Sequence, residues 1–438
     1  MPPKVFGTDS PRFAKRSRAC LRVRPVKVGI DVSRTVPKRE RAGIGKYADM
    51  LVQGLARVDT AHEFILYPGL GDFVHPQYGV SCDISVPARP NFRKYTGSLP
   101  AFADGHPQAE QDAVDVVHAT AFSCPDVRPA RLVVTVYDLT YRLFPAFHLP
   151  SNIEFCERNM THAVERGDYF IAISEQTRKD FITTYGVSRE RVEVIYPAAE
   201  SMFVPVTDRE RLARTLDKHD IRDDYILFVG ATEPRKNIVS LLKAFAALSA
   251  DEESSKYLLV VVGTQGWLND EVYGLPASLG IASRVKFLGY VDDEDLPVLY
   301  SAARLFVYPS LYEGFGLPVL EAMSCAAPVI TSRVSSLPEV TGDAAILIDP
   351  RDVGELTRAM KTVLEDDEIT ANLRKRSLKR AELFSLERLA RETLRVYEAV
   401  VGSSADVPRS GGIERGGAVA RMDRRLRGLL RVVSSVFR

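Results

Sequence analysis

The 438-residue chain carries 58 Lys+Arg against 57 Asp+Glu, a balance that gives no general case for a nucleic-acid partner. With 45% hydrophobic and 26% charged residues it is neither a disordered nor a fibrous chain, and its length divides into two or three domains. Cys20, Cys82, Cys124, Cys156 and Cys325 are odd in number, widely spaced and free of any Cys-x-x-Cys pair, which argues against a disulfide framework or a thiolate zinc site and for a reducing compartment.

Residues 1–25 form a basic extension without an apolar stretch of signal-peptide length, and no run in the chain reaches 18 apolar residues. Regular pattern starts at 26–31, VKVGID, which reads as a strand. It leads into a loop carrying Gly43 and Gly45, then into helical spacing at Tyr47, Met50, Leu51 and Leu55. Short apolar, β-branched runs at 64–67, 114–117, 132–136 and 169–173 suit strands of a parallel sheet covered on both faces. Residues 153–164 and the stretch after Ser174 have helical spacing, whereas the segment near 70–112 has no assignable pattern. Residues 26–202 thus read as one α/β domain.

A charged connection, 203–221, joins it to a cleaner repeat of the same scheme at 222–385. Strands are expected at 225–230, 257–262, 285–289, 305–308, 328–330 and 345–348. Helices are expected at 239–248, 296–303, from Pro318 onward, and at 355–364. Such alternation predicts βαβ units and a Rossmann-like sheet, so the fold class is α/β with two doubly wound domains facing across a cleft. Ligands of open parallel sheets sit at the carboxyl ends of the strands, where this cleft lies. A last helix, 386–400, is expected to pack back on the N-terminal domain, followed by a flexible linker at 401–417. Residues 418–438 then place Met422, Leu426, Leu429, Leu430, Val433 and Phe437 on one helical face, amid seven arginines and one aspartate from 415 onward. That pattern suits an amphipathic helix lying on an anionic membrane surface; the alternative is a helix docked on its own protein or on a second subunit.

The chemistry concentrates in two strand-end loops. YPSLYEGFGLPVLEAM, 308–323, takes the chain from a strand to a helix whose first turn accepts Pro318 at no cost in hydrogen bonds. Gly314 and Gly316 permit a tight loop whose backbone donors, with the helix N-terminus, can face an anion. Glu313 and Glu321 bracket the loop and suit the hydroxyls of a ribose or sugar. The complement is GATEPRKN, 230–237, where Arg235 offers a planar fork and Lys236 a point charge. Cations and backbone donors for a diphosphate, with carboxylates for hydroxyls, describe a nucleotide-sugar site; the bland alternative is surface glutamates beside a solvated Arg-Lys pair.

Glu-x7-Glu at Glu313 and Glu321 resembles the signature of the retaining glycosyltransferases of family 4, which have the GT-B fold. Segments at 27–51, 115–120 (DVVHAT), 169–182, 227–237, 285–310 and 384–394 agree in the family's order, and the likeness is closest to bacterial enzymes that add mannose or related sugars to surface polysaccharides. The resemblance implies that Arg235 and Lys236 neutralise the donor diphosphate, that Glu321 holds the ribose, and that Glu313 with the backbone of Phe315, Gly316 and Leu317 holds the donor sugar. It implies that the peptide around Lys286 contacts the base and that Gly43 and Gly45 let the first loop approach the donor. It further implies GDP-mannose as donor, a lipid-linked or polysaccharide acceptor, front-face transfer without a protein nucleophile, no cofactor and no metal; the sequence offers no Asp-x-Asp at a strand end where one is expected.

One departure stands out. Relatives commonly read His-Asp-Leu where this chain has Tyr137-Asp138-Leu139, and a tyrosine with a pKa near 10 is a poor proton carrier at neutral pH. Asp138 is then a candidate for activating the acceptor, and His118 a second candidate near the same edge. His62, His75, His106, His148 and His162 form no metal-ligand spacing. Trp267 reads as loop packing in preference to part of the base pocket, and Ser174 as a helix cap or a substrate contact. Alternatives to a GDP-mannose enzyme are a relative using UDP-glucose, UDP-N-acetylglucosamine or GDP-fucose, and a catalytically weak sugar-nucleotide-binding subunit; a dinucleotide oxidoreductase lacks its Gly-x-Gly-x-x-Gly.

Overall fold

The computed structural model describes residues 24–33, 35, 43–68, 84, 86–95, 112–121, 127, 129–251, 256–266 and 270–402. The basic helix expected at 418–438, Trp267, His75, His106 and residues 1–23 lie outside the described residues.

The N-terminal domain runs β1 (Lys27–Asp31), α1 (Gly43–Arg57), β2 (Glu63–Tyr67), β3 (Phe92–Lys94), β4 (Val116–Ala119), β5 (Arg131–Val136), α2 (Thr140–Leu143), α3 (Pro150–Arg166), β6 (Tyr169–Ala172), α4 (Glu175–Tyr185) and β7 (Val192–Val194). These strands form one parallel sheet in the order β3-β2-β1-β4-β5-β6-β7. Residues such as Val28, Ile30, Val116, Val133 and Phe170 are fully buried, as expected of strands covered on both faces.

Two expectations change here. Gly43 and Gly45 do not lie in a loop but in the first turn of α1, and Gly45 is buried. The β3 strand falls inside the stretch that had no assignable pattern; its FRK sequence sits at a sheet edge, where charge is tolerated.

The connection at 203–221 holds a further helix, α5 (Arg209–Lys218), capped by the Asp208 side chain on the backbone N–H of Glu210 and Arg211. The second domain then runs β8 (Tyr225–Val229), α6 (Ile238–Ser249), β9 (Leu258–Val262), α7 (Asp270–Ser278), β10 (Val285–Gly289), α8 (Leu296–Ala302), β11 (Leu305–Tyr308), α9 (Leu317–Ser324), β12 (Val329–Ser332), α10 (Leu337–Thr341), β13 (Ala345–Ile348), α11 (Val353–Glu365) and α12 (Asp367–Ala381). Its parallel sheet has the order β10-β9-β8-β11-β12-β13. All five residues of β8 are buried, and each such apolar side chain contributes roughly 1.5–3 kcal/mol. The order of strands reverses between β8 and β11, β9 and β10 being added on one side and β12 and β13 on the other. A crevice therefore opens at their carboxyl ends.

The last helix, α13 (Leu386–Gly402), lies on α1 of the other domain. Gly54 permits this approach, because a Cβ there would stand 2.4 Å from the Leu386 carbonyl oxygen. The same helix brings Tyr397 Oη within 2.7 Å of His118 Nδ1 and Glu398 within 3.1 Å of His62 Nε2. The two sheets are thereby joined by a helix that follows the second and packs on the first.

Candidate functional site

β8 and β11 are neighbours in the sheet, and each releases a loop into the crevice. The loop after β8 makes a single 3-10 turn, Pro234–Lys236, and leaves it through Asn237 at φ 57°. Asn237 Nδ2 donates to the carbonyls of Pro309 and Pro350, and Leu311 N donates to the Arg235 carbonyl at 2.8 Å, so the two loops are stitched together.

Arg235 and Lys236 meet Glu313 at their junction. Arg235 Nη1 is 2.7 Å from Glu313 Oε2 and donates to the Tyr312 carbonyl at 2.9 Å, while Nη2 reaches Glu233 at 2.5 Å. Lys236 Nζ lies 2.7 Å from Glu313 Oε1 and 2.5 Å from Tyr308 Oη, and Ser310 Oγ is 2.7 Å from the same carboxylate oxygen. Burial opposes the Glu313 charge, but Arg235 and Lys236 outweigh it and hold the carboxyl down at about 2. Burial pulls the Lys236 ammonium below its ordinary value, helped by the neighbouring guanidinium. These side chains are not a solvated surface pair: Lys236, Glu233 and Glu313 are each under one-tenth exposed. Glu313, expected on sugar hydroxyls, is the counter-ion that fixes both cations.

From Glu313 the chain turns through Gly314, Phe315 and Gly316 into α9. A Cβ at Gly314 would stand 2.2 Å from the Tyr137 carbonyl oxygen, so only glycine lets this loop touch the N-terminal domain. Gly316 has φ 103°, the left-handed geometry that opens the helix at Leu317. Phe315 is buried, and its carbonyl and that of Glu313 each lie 2.9 Å from Ser336 Oγ. Gly43 faces this turn from the other domain: a Cβ on it would lie 3.9 Å from Leu317 Cδ1.

Four further residues, which the sequence pattern does not single out, complete the crevice: Lys46, Glu200, Tyr300 and Glu339. Lys46 Nζ is 3.0 Å from Glu321 Oε1 and 3.9 Å from Glu200, and Tyr300 Oη donates to Glu321 Oε2 at 3.0 Å. Lys46 sits one turn after Gly43, in the AGIGKY stretch, which was the available signal. Glu339 of α10 is the fourth: it accepts backbone N–H bonds from Glu175 at 2.9 Å and Gln176 at 3.1 Å, at the start of α4. Ser174 caps the same helix by accepting from Thr177 N, and so has a structural role.

The acceptor-side candidates fare differently. His118 is fully buried in β4, its ring nitrogens 2.7 Å from Thr135 Oγ1 and 2.7 Å from Tyr397 Oη, and burial pulls its pKa down to about 3. Both nitrogens are committed to the core, which corrects its assignment as a substrate contact. Tyr137 is also buried; its hydroxyl donates to the Thr120 carbonyl and its ring stands edge-on to Tyr47, so its phenol does not face the crevice. Asp138 does reach the cleft. Its Oδ1 accepts from Thr140 N at 2.9 Å and from Thr140 Oγ1 at 2.6 Å, and its charge acts on Arg235 and His148. His148 Nδ1 is 2.9 Å from Asn152 Nδ2; burial lowers its pKa, and Asp138, Arg235 and Glu233 all act on it. The Lys286 ammonium turns to Asp220 Oδ2 at 2.6 Å in the interdomain connection, so that side chain is engaged outside the junction of the two loops. Among the described residues, no group of three or more His, Cys, Asp or Glu is placed to hold a metal ion, and no helix is long and apolar enough to cross a membrane.

Two family models match in tandem: "Glycosyltransferase Family 4" over residues 41–200 and "Glycosyl transferases group 1" over 210–380. The O-antigen chain mannosyltransferase B of Escherichia coli is 33% identical over 368 residues, covering 81% of this chain and 96% of that protein. Among solved structures, sucrose-phosphate synthase of Thermosynechococcus elongatus superposes with a TM-score of 0.65 at 23% identity, over 86% of this chain and all of the other. Anabaena HepE, solved with UDP-glucose, gives 0.64 at 17% identity over 85% and 99%. At these identities the two structures speak to the fold alone.

Proposed function

The chain belongs to family 4 of the GT-B glycosyltransferases, related to bacterial mannosyltransferases of surface-polysaccharide synthesis, and from that premise we propose that it transfers mannose from GDP-mannose to a lipid-linked or polysaccharide acceptor with retention of configuration. The observation that carries this reading is the junction of Arg235, Lys236 and Glu313 where the two strand-end loops meet. Two cations on a 3-10 turn, held by a buried carboxylate, suit a leaving diphosphate whose charge grows as the glycosidic bond breaks. Their positions are set before the substrate arrives, so little reorganisation is needed in the transition state.

In this reading the diphosphate lies between the Arg235/Lys236 turn and the backbone of Gly314 to Leu317. Glu321 takes the ribose hydroxyls, and the strand around Lys286 lines the base. Glu313 orients the cations and stands beside the donor sugar. The acceptor hydroxyl enters on the face from which the phosphate leaves, and Asp138 is the carboxylate placed to receive its proton. Mannose is favoured over glucose or N-acetylglucosamine because the relative that this chain covers almost end to end is a mannosyltransferase. The membrane reading of 418–438 accompanies a lipid-linked acceptor: removal of 415–438 is expected to abolish association with anionic liposomes and to leave nucleotide binding intact, and unchanged liposome association after removal would count against it.

The deciding experiment is a donor screen by product mass with GDP-mannose, GDP-fucose, UDP-glucose and UDP-N-acetylglucosamine. Consumption of GDP-mannose alone is expected. Turnover of a uridine donor reassigns the sugar; binding without turnover of any donor favours a sugar-nucleotide-binding subunit.

A further inference from the structure

Glu321, the residue read above as the ribose acceptor, already has a partner from the opposite domain. Lys46 leaves the first turn of α1 and crosses to it at 3.0 Å, while Glu200, in the loop after β7, waits at 3.9 Å on the other side of the ammonium. One cation thus stands between two carboxylates that are each at most about one-seventh exposed. The arrangement is lopsided: 3.0 Å is a hydrogen bond and 3.9 Å is not.

We propose that Lys46 is a positioning residue that occupies Glu321 while the donor site is empty, and that entry of the ribose hands Lys46 over to Glu200. The inference rests on Glu321 being the ribose acceptor. Both Glu321 oxygens are engaged, one by Lys46 and one by Tyr300. Tyr300 is fully buried within α8, whereas the Lys46 side chain is 18% exposed and flexible, so Lys46 is the partner that hydroxyls can displace. A displaced ammonium in this setting needs a counter-ion, because an unpaired buried charge is costly. Glu200 is about one ångström beyond charge-assisted hydrogen-bond distance.

The handover moves a proton. The groups acting on Glu200 are Lys46 and Asp49 of α1, Asp293 of the β10–α8 loop and Glu321 of α9. Burial raises the Glu200 carboxyl to about 7, with Lys46 pulling against it and the three carboxylates adding to it. Full pairing with Lys46 lowers that value, so Glu200 ionises and its proton leaves to solvent as the ligand binds. Binding that releases a proton strengthens as pH rises.

The test is calorimetric titration of GDP-mannose and of UDP-glucose, whose diphosphate diesters do not titrate near neutrality, into the full chain without acceptor. Titrations at pH 6, 7 and 8 use two buffers of different ionisation enthalpy. Expected are release of about half a proton at pH 7 and binding about tenfold tighter at pH 8 than at pH 6. Glu200→Gln flattens the profile and removes the proton release; Lys46→Met removes it with Glu200 still in place. Should Glu200→Gln fail to fold, the wild-type buffer pair and Lys46→Met decide. Wild-type binding without proton release, or release that survives in either variant, overturns the handover and leaves the donor reading standing. Binding of neither nucleotide sugar at any pH overturns the donor reading, and the handover with it.

Discussion

Glu313 accepts from Lys236 Nζ at 2.7 Å across 77 positions of sequence, one of the contacts joining the loops that follow the two central strands of the second sheet. Its other oxygen holds Arg235 at the same distance. Replacing either cation with alanine therefore does two things. It removes a donor aimed at the diphosphate, and it leaves a buried carboxylate with half its compensation. Turnover is expected to fall about 10²–10³-fold for Arg235→Ala and for Lys236→Ala, the usual loss when a donor to a developing charge is removed. Stability is expected to fall by about 3 kcal/mol. Product formation at a temperature where each variant is folded separates the two effects; near-normal turnover in both would reject the leaving-group assignment.

Gly314 is a point of close backbone approach between the domains at the site. Because a Cβ there would stand 2.2 Å from the Tyr137 backbone oxygen, Gly314→Ala forces the loop or strand end to move. Backbone cannot yield as a long side chain can. The variant is expected to lose about 3 kcal/mol and most of its turnover while retaining helical content. Thermal melting with circular dichroism, beside the donor assay, checks both; unchanged activity would show that the loop does not have to touch Tyr137.

Much of this architecture was legible because parallel strands buried on both faces announce themselves as short apolar runs, as at Tyr225–Val229 and Leu258–Val262. The Arg235/Lys236 pair and Glu313 stand out in the sequence for a different reason: each follows a strand and has proline or glycine beside it, whereas Glu321 stands out by its spacing from Glu313. What stayed hidden depends on distance along the chain. Lys46 meets Glu321 across 275 positions and Glu339 meets Glu175 across 164, separations at which local pattern carries no information. Two glycines in one turn made the start of α1 look like loop, although tertiary packing on α13 outweighs their poor helix propensity. His118 reads as a crevice residue from its position near the carboxyl end of β4, but a helix more than 260 residues later covers it.

That burial gives His118 a signature in acid. Its imidazole is neutral when folded, with a pKa held near 3, while the unfolded chain binds the proton with a pKa near 6.5. The histidine contribution is therefore complete above pH 6.5 and is lost as pH falls toward 3, at up to about 1.4 kcal/mol per unit. Replacing His118 with glutamine keeps a polar side chain between Thr135 and Tyr397 and removes the titration. Urea denaturation at pH 7.5 and pH 5 is expected to show a smaller loss in His118→Gln than in the wild type, with donor binding kept at pH 7.5; an identical loss in both would show that His118 is not the group being charged.

The N-terminus of α4 gives the last expectation, because its caps come from both domains. Ser174 accepts the Thr177 N–H from within the first domain, while Glu339 reaches over from the second to take those of Glu175 and Gln176. Tyr196 Oη adds a third donor to Glu339 at 3.1 Å. A carboxylate at a helix N-terminus satisfies orphan donors and opposes the positive end of the helix dipole, so its interaction depends on the domains staying together. Glu339→Ala strands those donors and removes a restraint on opening. Global stability is expected to fall by about 1–2 kcal/mol, the cost of losing a good cap. Small-angle scattering should show a larger radius of gyration for the variant, and the gap between variant and wild type should narrow when a nucleotide sugar is added. An equal stability loss without any change in scattering would mean that Glu339 caps the helix but does not hold the domains together.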